Sequence, residues 1–277
     1  MIRKRRRPLT ALEIVRYIVL IPILAFFLAP IVWLFVTPFS SRPSLSISLG
    51  KPTLSNFVRV FQNKIALLAF RNSLIIAVGT VVLVTVAALL AAYVLSRKKF
   101  KGRDILLYVL ILFSSVVTGV AAMVPLFMMN LKLGLIDKHL GVILTMSGGL
   151  LPTSVFILKD FIDSISITYE EAALVDGSTP LQVMFRIFLP LSSRGVIVIA
   201  MLTFVNAWSN FLVPFILLRS TTLYPISIAI YTFFTEIGLP DIGMISAYSL
   251  MYTLPVIVVY LIIEKRFGFS FYGGLKA

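Results

Sequence analysis

Long apolar runs alternate along this chain with short, strongly polar interruptions. The runs occupy residues 14–37, 72–95, 105–129, 140–158, 195–218 and 242–263. A helix needs ~20 apolar residues to cross the hydrocarbon core of a bilayer. The pattern therefore predicts an all-α polytopic membrane protein with six transmembrane helices. It divides a single transmembrane domain into a basic N-terminal segment (1–13), a first span (14–38), an outer loop (39–71), a core of spans two to six (72–263) that contains a polar loop at 160–194, and a tail (264–277).

Details within the runs refine this frame. The first run follows Arg3, Lys4, Arg5, Arg6 and Arg7, as a secretory signal would. It exceeds the ~7–15 apolar residues of a signal core, so an uncleaved span is expected. Pro22 and Pro30 should kink it. In the outer loop Leu54, Phe57, Val58 and Phe61 recur at helical spacing, which predicts a helix lying along the membrane surface. The second run carries Gly79, Ala87, Ala88, Ala91 and Ala92, small residues that let helices approach closely. Gly148, Gly149 and Pro152 interrupt the fourth run, and the stretch Ile226 to Phe234 is too short to cross, so it reads as a surface or re-entrant segment.

Charge orients the frame. The formal net charge of +14 would suit a nucleic-acid partner if the basic residues clustered on one soluble face. They flank the apolar runs instead, so no nucleic acid is expected. With the N-terminus inside, inner segments hold 16 basic residues and outer segments 8, an excess that predicts both termini in the cytoplasm. Arg97, Lys98, Lys99, Lys101 and Arg103 form one dense inner loop, and the 160–194 loop falls on the same side. Cysteine is absent, and a single histidine, His139, at the start of an apolar run reads as an interfacial side chain, so neither a disulfide framework nor a metal site is expected.

Several kinds of chemistry are missing. No Asp, Glu or Lys lies within a predicted span core, whereas ion-coupled transporters need such groups, so an uncharged cargo and an external energy source are expected. The phosphate-cradling pattern Gly-x4-Gly-Lys-Ser/Thr does not occur, so any ATP and Mg belong to a partner and this chain binds no cofactor. No nucleophile, base or paired-carboxylate set indicates an enzyme. Polar residues do enter the spans. The fifth holds Phe204, Asn206, Trp208, Ser209, Asn210 and Phe211, the sixth Tyr248, Ser249 and Tyr252, and the third Ser114, Ser115 and Thr118. Amides and hydroxyls in lipid must be satisfied, either by bonds between helices or by lining a substrate path, and both readings are open. As a path, Phe204, Asn206, Trp208, Ser209, Asn210, Tyr248 and Tyr252 would suit a sugar, whose C–H faces pack on rings while its hydroxyls take donors and acceptors.

The polar loop is written as two short helices between Thr168 and Pro190. Thr168 with Glu171 has capping-box spacing, Gly177 suits a left-handed helix end, Thr179-Pro180 restarts the helix, and Pro190 is expected to end it. Glu170 and Glu171 project about 100° apart. The apolar set Val183, Met184, Ile187 and Phe188 on the second arm could form a docking surface or a simple connection.

The spacing of Glu171-Ala172-Ala173, Gly177, Ile187 and Leu189-Pro190 resembles the EAA signature of binding-protein-dependent ABC importer permeases, with every fixed position present. Thr53-Leu54-Ser55-Asn56-Phe57, Asn72-Ser73-Leu74, Ala92-Tyr93 and the tail Phe271-Tyr272-Gly273-Gly274-Leu275-Lys276 are similar to the carbohydrate permeases of the maltose-transporter type. The resemblance implies alternating access in a complex with a second homologous permease subunit, two ATP-binding subunits and an external solute-binding protein. It also implies that Glu170, Glu171, Ala172, Ala173, Asp176, Gly177, Ile187, Leu189 and Pro190 couple to the ATPase, and that the tail reaches between the ATPase subunits. The sequence departs from the pattern at Thr168, where a proline is common nearby, and at Trp208-Ser209-Asn210-Phe211, where Trp-Asn-acidic-Phe is more usual. A permease for a non-sugar neutral solute, and a stand-alone channel or scaffold, are the alternatives. A polyamine cargo would want carboxylates along the path, and none is found.

Overall fold

The structure is a computed structural model that describes residues 11–46, 50–98, 100–117, 120–233 and 238–267. The basic cluster Arg3 to Arg7, Thr118 and the tail motif Phe271 to Lys276 lie outside the described residues, as do the side chains of Ser114 and Ser115. The described residues are helical, apart from connecting loops and one isolated antiparallel bridge between Ser40 and Pro52. The chain divides into two compact units, residues 1–62 with 233–251, and residues 63–232 with 252–277.

In the first unit α1 (Ala11–Val36) runs through Pro22 and Pro30 without ending. Its apolar side chains from Tyr17 to Phe35 are largely exposed, as expected of a helix solvated by lipid. Trp33 Nε1 donates to Ser44 O at 3.0 Å and ties its end to the following loop. Leu54, just before α2 (Ser55–Gln62), and Val58 and Phe61 within it are exposed, while Val60 is buried along with Asn56, whose Nδ2 donates to Pro38 O and Ser40 O. Arg59 is ion-paired with Asp241. Burial pushes the Asp241 carboxyl up, but the Arg59 guanidinium and the Met244 and Gly243 N–H groups outweigh it and hold the carboxyl below the usual range.

The second unit is built on α3 (Lys64–Arg97), which starts at Lys64 rather than at Asn72. Asn63 Oδ1 caps it by accepting from Ala66 N, and nothing in 64–71 breaks a helix. After α4 (Arg103–Val117) comes a 3₁₀ turn, Val120–Ala122, and then α5 (Met123–Lys132), so the third apolar run is two helices rather than one. Next, α6 (His139–Asp163) lies along α3. A side chain at Gly79 would meet Ile143 Cδ1 at 2.7 Å, so the glycine lets the tip of Ile143 on α6 pack against the α3 backbone.

The polar loop supplies α7 (Thr168–Val175), α8 (Pro180–Val183), a π-helical turn Met184–Phe188 and α9 (Leu189–Leu191). The fifth run is also split, into α10 (Ser193–Ser209) and α11 (Leu212–Leu217). Beyond it, α12 (Ile226–Ala229) is short and buried. It is held by α3, because Asn72 Nδ2 donates to Thr222 O and Tyr224 O while Ser73 Oγ accepts from Ile226 N. His139 contacts Leu223 O through Nε2. The last helix, α13 (Ile242–Phe267), carries Pro255 within it.

Asp137 sits in the left-handed region at φ 58°. Its carboxylate accepts from Ser220 Oγ, Ser220 N and Arg219 N, and these bonds hold its pKa below the usual carboxylate range. By length and apolarity α1, α3, α6 and α13 qualify as spans among the described residues, and the bent pair 180–191 with 193–209 makes up to five.

Candidate functional site

The 168–190 hairpin is assembled from local signals. α7 begins after Ile167 without a side-chain cap. The Thr168–Glu171 capping box does not form, because Thr168 is already the first helical residue. Its hydroxyl bonds Ser166 Oγ at 2.8 Å instead. The capping box lies one arm later, where Thr179 Oγ1 accepts from Gln182 N and Gln182 Oε1 accepts from Thr179 N at 2.8 Å. Gly177, at φ 84°, ends α7, with Ser178 N donating to Ala173 O and Gly177 N to Leu174 O. That pair of bonds is the Schellman arrangement, and it requires the left-handed residue.

Pro190 does not end the second arm. A proline has no N–H for the carbonyl four residues back, and the chain absorbs this by widening to a π-turn in which Leu189 N reaches Met184 O. The helix continues to Leu191 and bends at Ser192, whose N and Oγ both donate to Phe188 O, so 180–191 and 193–209 meet at 78°. A side chain at Gly195 would meet Phe161 Cγ at 2.6 Å, so α10 leaves the bend pressed against α6.

The hairpin has a sealed face and an open one. Glu170, Ala173, Val183, Met184 and Phe188 are buried against Ala92, Tyr93, Leu158 and Ile162 of α3 and α6, with Ile187 and Leu189 packed at the margin. Val183, Met184 and Phe188, the apolar set of the second arm, are thus turned into the chain. Glu171, Ala172, Asp176, Gly177 and Pro190 are exposed. Around them Tyr169, Leu174, Leu181 and Phe185 are open, and Val175 is 87% exposed. Tyr169, Leu181 and Phe185 were not among the sequence-derived candidates. The spacing gave no signal for Leu181 and Phe185, because they recur with Met184 and Phe188 at i, i+3, i+4 and i+7 as one apolar stripe, of which only Met184 and Phe188 are buried.

Under the sealed face lies a polar joint. Tyr93 Oη donates to Glu170 Oε1 at 2.9 Å, and Arg97 Nε lies 3.5 Å from Glu170 Oε2. The two charged side chains are only 9% and 11% exposed. Arg97 Nη2 also donates to Ile162 O and Ile165 O at the end of α6, and its guanidinium lies 4.7 Å over the Phe188 ring. Ser96 and Lys159 both bond Asp163 beside it. Read from sequence, Arg97 is one basic residue in a loop, and nothing local marks it as buried.

A second polar place is the break between α10 and α11, which opens on a cavity of about 290 Å³ lined by Asn206, Asn210, Thr145, Met146 and Leu150. Asn210 Oδ1 caps α11 by accepting from Val213 N, and Asn206 Nδ2 donates to Leu202 O. Thr145 Oγ1 accepts from Asn130 Nδ2. Among the described residues these bonds leave Asn206 Oδ1, Asn210 Nδ2 and the Thr145 hydroxyl proton unused. Of the other path candidates, Trp208 is buried, stacked with Phe204 at 5.5 Å and with Tyr252 at 5.9 Å. Trp208 Nε1 donates to Tyr252 O and Tyr252 Oη to Trp208 O, so this ladder holds α10 to α13 at Tyr252. Ser209 Oγ is turned back to Val205 O. In the first unit Tyr248 is buried edge-on to Phe233.

Comparison with known proteins gives these two places a context. The profile of the family described as binding-protein-dependent transport system inner membrane component matches residues 84–266. The inner membrane ABC transporter permease protein YcjP of Escherichia coli is 36% identical over 220 residues, covering 77% of this chain and 76% of that protein. The trehalose transport system permease protein SugB of Mycobacterium tuberculosis is 29% identical over 251 residues, covering 88% and 90%. A chain from the crystal structure of a bacterial ABC transporter that imports the acidic polysaccharide alginate superposes with a TM-score of 0.79 at 22% identity, covering 94% of this chain and 100% of its own.

Proposed function

The chain belongs to the family of binding-protein-dependent transport system inner membrane components, and from that membership we propose that it is the permease subunit of an ATP-driven sugar or oligosaccharide importer. It is a multi-pass protein of the cytoplasmic membrane. In this reading the chain crosses six times, with α4–α5 and α10–α11 as broken spans, and both termini are cytoplasmic. A second permease subunit, two ATP-binding subunits and an external solute-binding protein complete the machine, and the partner ATPase holds ATP and Mg.

The observation that carries the reading is the two-faced hairpin. Its inner face is welded to α3 and α6, while Glu171, Leu174, Val175, Leu181 and Phe185 stand open on the other side. Exposed apolar residues around a carboxylate fit a protein cleft better than water. The ATPase would grip this face, and its closure would turn the spans between inward- and outward-open states. The cargo reading draws on the cavity at the α10–α11 break, a polar niche at a discontinuous helix. Its neutral amides and hydroxyl suit sugar hydroxyls, and the related permease named for trehalose supports the same class.

The test exchanges the open face. Glu171→Arg inverts its charge, and Gly177→Val forces a branched residue into φ 84°. Both variants should reach the membrane in normal amount yet lose the ATPase subunits on purification in mild detergent, and sugar uptake with them. Full uptake with the ATPase still attached would refute the docking assignment.

A further inference from the structure

We propose, on the basis of the importer reading, that Arg97 is the positioning residue that joins the hairpin to the spans, and that its contact with Glu170 tightens when the hairpin is loaded. The assignment separates the two adjacent carboxylates, with Glu171 meeting the partner and Glu170 meeting Arg97.

One guanidinium reaches three other segments. It holds the last turn of α6 through Ile162 O, which also accepts from Ile165 N, and the loop just past it through Ile165 O, placing its positive charge at the negative end of the helix. Its flat face lies on Phe188 of the π-turn, and its Nε points to Glu170 of α7. Tyr93, one turn earlier on α3, fixes the other Glu170 oxygen and packs its ring 5.3 Å from Phe188. A force on the open face of either arm therefore arrives at the ends of α3 and α6 together. Lysine could not replace this residue, because an ammonium has no planar fork to span carbonyls, carboxylate and ring at once.

The joint is incompletely closed. Arg97 Nε and Glu170 Oε2 are both buried, face each other at 3.5 Å, and among the described residues neither has a hydrogen-bond partner. A buried donor and acceptor left apart favour any movement that brings them to the ~2.8 Å of a charge-assisted bond. A shift of under ~1 Å of α7 towards α3 would do so, and a clamping ATPase would press in that direction.

The experiment uses the assembled transporter in vesicles and compares Arg97→Gln, Arg97→Lys, Glu170→Gln and the double variant Arg97→Gln/Glu170→Gln with the parent. The ATPase subunits should co-purify in parental ratio from every variant. Sugar transported per ATP hydrolysed should fall roughly tenfold in each single variant, Arg97→Lys included, and no further in the double variant, because the residues act as one unit. Loss of the ATPase from Glu170→Gln would make Glu170 a docking residue and overturn the proposal. So would a parental transport ratio in Arg97→Gln. Should Arg97→Gln fail to assemble, Tyr93→Phe removes a single bond to Glu170 and should lower the ratio about twofold; an unchanged ratio there counts against the proposal. Hydrogen exchange of the amides at 168–176 supplies a readout independent of transport. It should quicken in Arg97→Gln and Glu170→Gln but not in Glu171→Gln, and equal exchange in all three would count against the joint. A parent without ATPase partner or uptake would instead sink the importer reading and leave the exchange comparison standing.

Discussion

The joint beneath the hairpin and the cavity at the α10–α11 break both place polar side chains inside an apolar helical body, and they complete them in opposite ways. At the joint the carboxylate, guanidinium, phenol and helix-end carbonyls use one another, with a single short gap between Arg97 and Glu170. At the cavity each amide spends one of its two ends on the backbone and keeps the other free. Charges stand in the closed set, because an unpaired buried charge is too costly to leave open. Neutral amides stand in the open set, because an amide waiting for a partner costs far less. In the proposed importer the closed set would transmit force and the open one would bind.

The sharpest test of this division is on α10 itself, where the two kinds of residue alternate. Phe204 and Trp208 form one i, i+4 pair and Asn206 and Asn210 the other. Trp208→Ala empties the ladder between α10 and α13 and should cost about 4 kcal/mol of stability, seen as a large drop in melting temperature in detergent. Asn206→Ala should leave the melting temperature within error and raise KM for uptake about fivefold, the equivalent of one hydrogen bond. If Asn206→Ala proved as destabilising as Trp208→Ala, the cavity amides would be bonds between helices and not a lining.

A similar comparison separates two neighbours at the hairpin. Glu170→Ala leaves the Arg97 guanidinium buried beside an empty site and should destabilise by about 3 kcal/mol, the low end for a broken buried pair because Ile162 O and Ile165 O remain. Glu171→Ala removes an exposed side chain and should change stability by less than about 0.5 kcal/mol. Thermal unfolding of the isolated subunit distinguishes them. Equal losses would erase the distinction between sealed and open faces.

These differences also explain what could be read in advance. Apolar runs made the helices legible, and Gly177 and Thr179-Pro180 made the hairpin legible, because each follows from a local backbone requirement. The breaks in the third and fifth runs were not. Pro125 and Pro214 look no different in sequence from Pro22, Pro30 and Pro152, which lie inside continuous helices. The facing of the second arm was hidden because Leu181, Met184, Phe185 and Phe188 recur at i, i+3, i+4 and i+7 as one apolar stripe, so hydrophobicity did not say that only Met184 and Phe188 would be buried. Thr168 and Glu171 matched a capping box whose start was taken by the Ser166–Thr168 contact. Arg97 was least legible. Its burial depends on Glu170, Ile162, Ile165 and Phe188, all more than sixty positions away, and basic neighbours mask it.

The smallest effect expected concerns a third polar set that lies in a loop. The Asp137 carboxylate is closed like the joint, by Ser220 Oγ and the N–H groups of Ser220 and Arg219, but it remains near water. Its folded pKa lies below the ordinary value of 3.8. The unfolded chain therefore takes up a proton first as pH falls, so the contribution of Asp137 is whole above the ordinary carboxylate range and fades as pH drops through the folded pKa. Asn tolerates the left-handed backbone and can still accept the two N–H bonds, so Asp137→Asn should fold while losing the charge and the bond that Oδ2 accepts from Ser220 Oγ. Asp241, held low by Arg59, titrates in the same region and is common to both proteins. The difference between parent and variant melting curves thus isolates Asp137. That difference should be constant from pH 7 down to about pH 5 and shrink below about pH 4. A gap that stays the same down to pH 3 would mean that Asp137 holds the loop through shape alone, and that charge closes a polar set only where burial has removed the water.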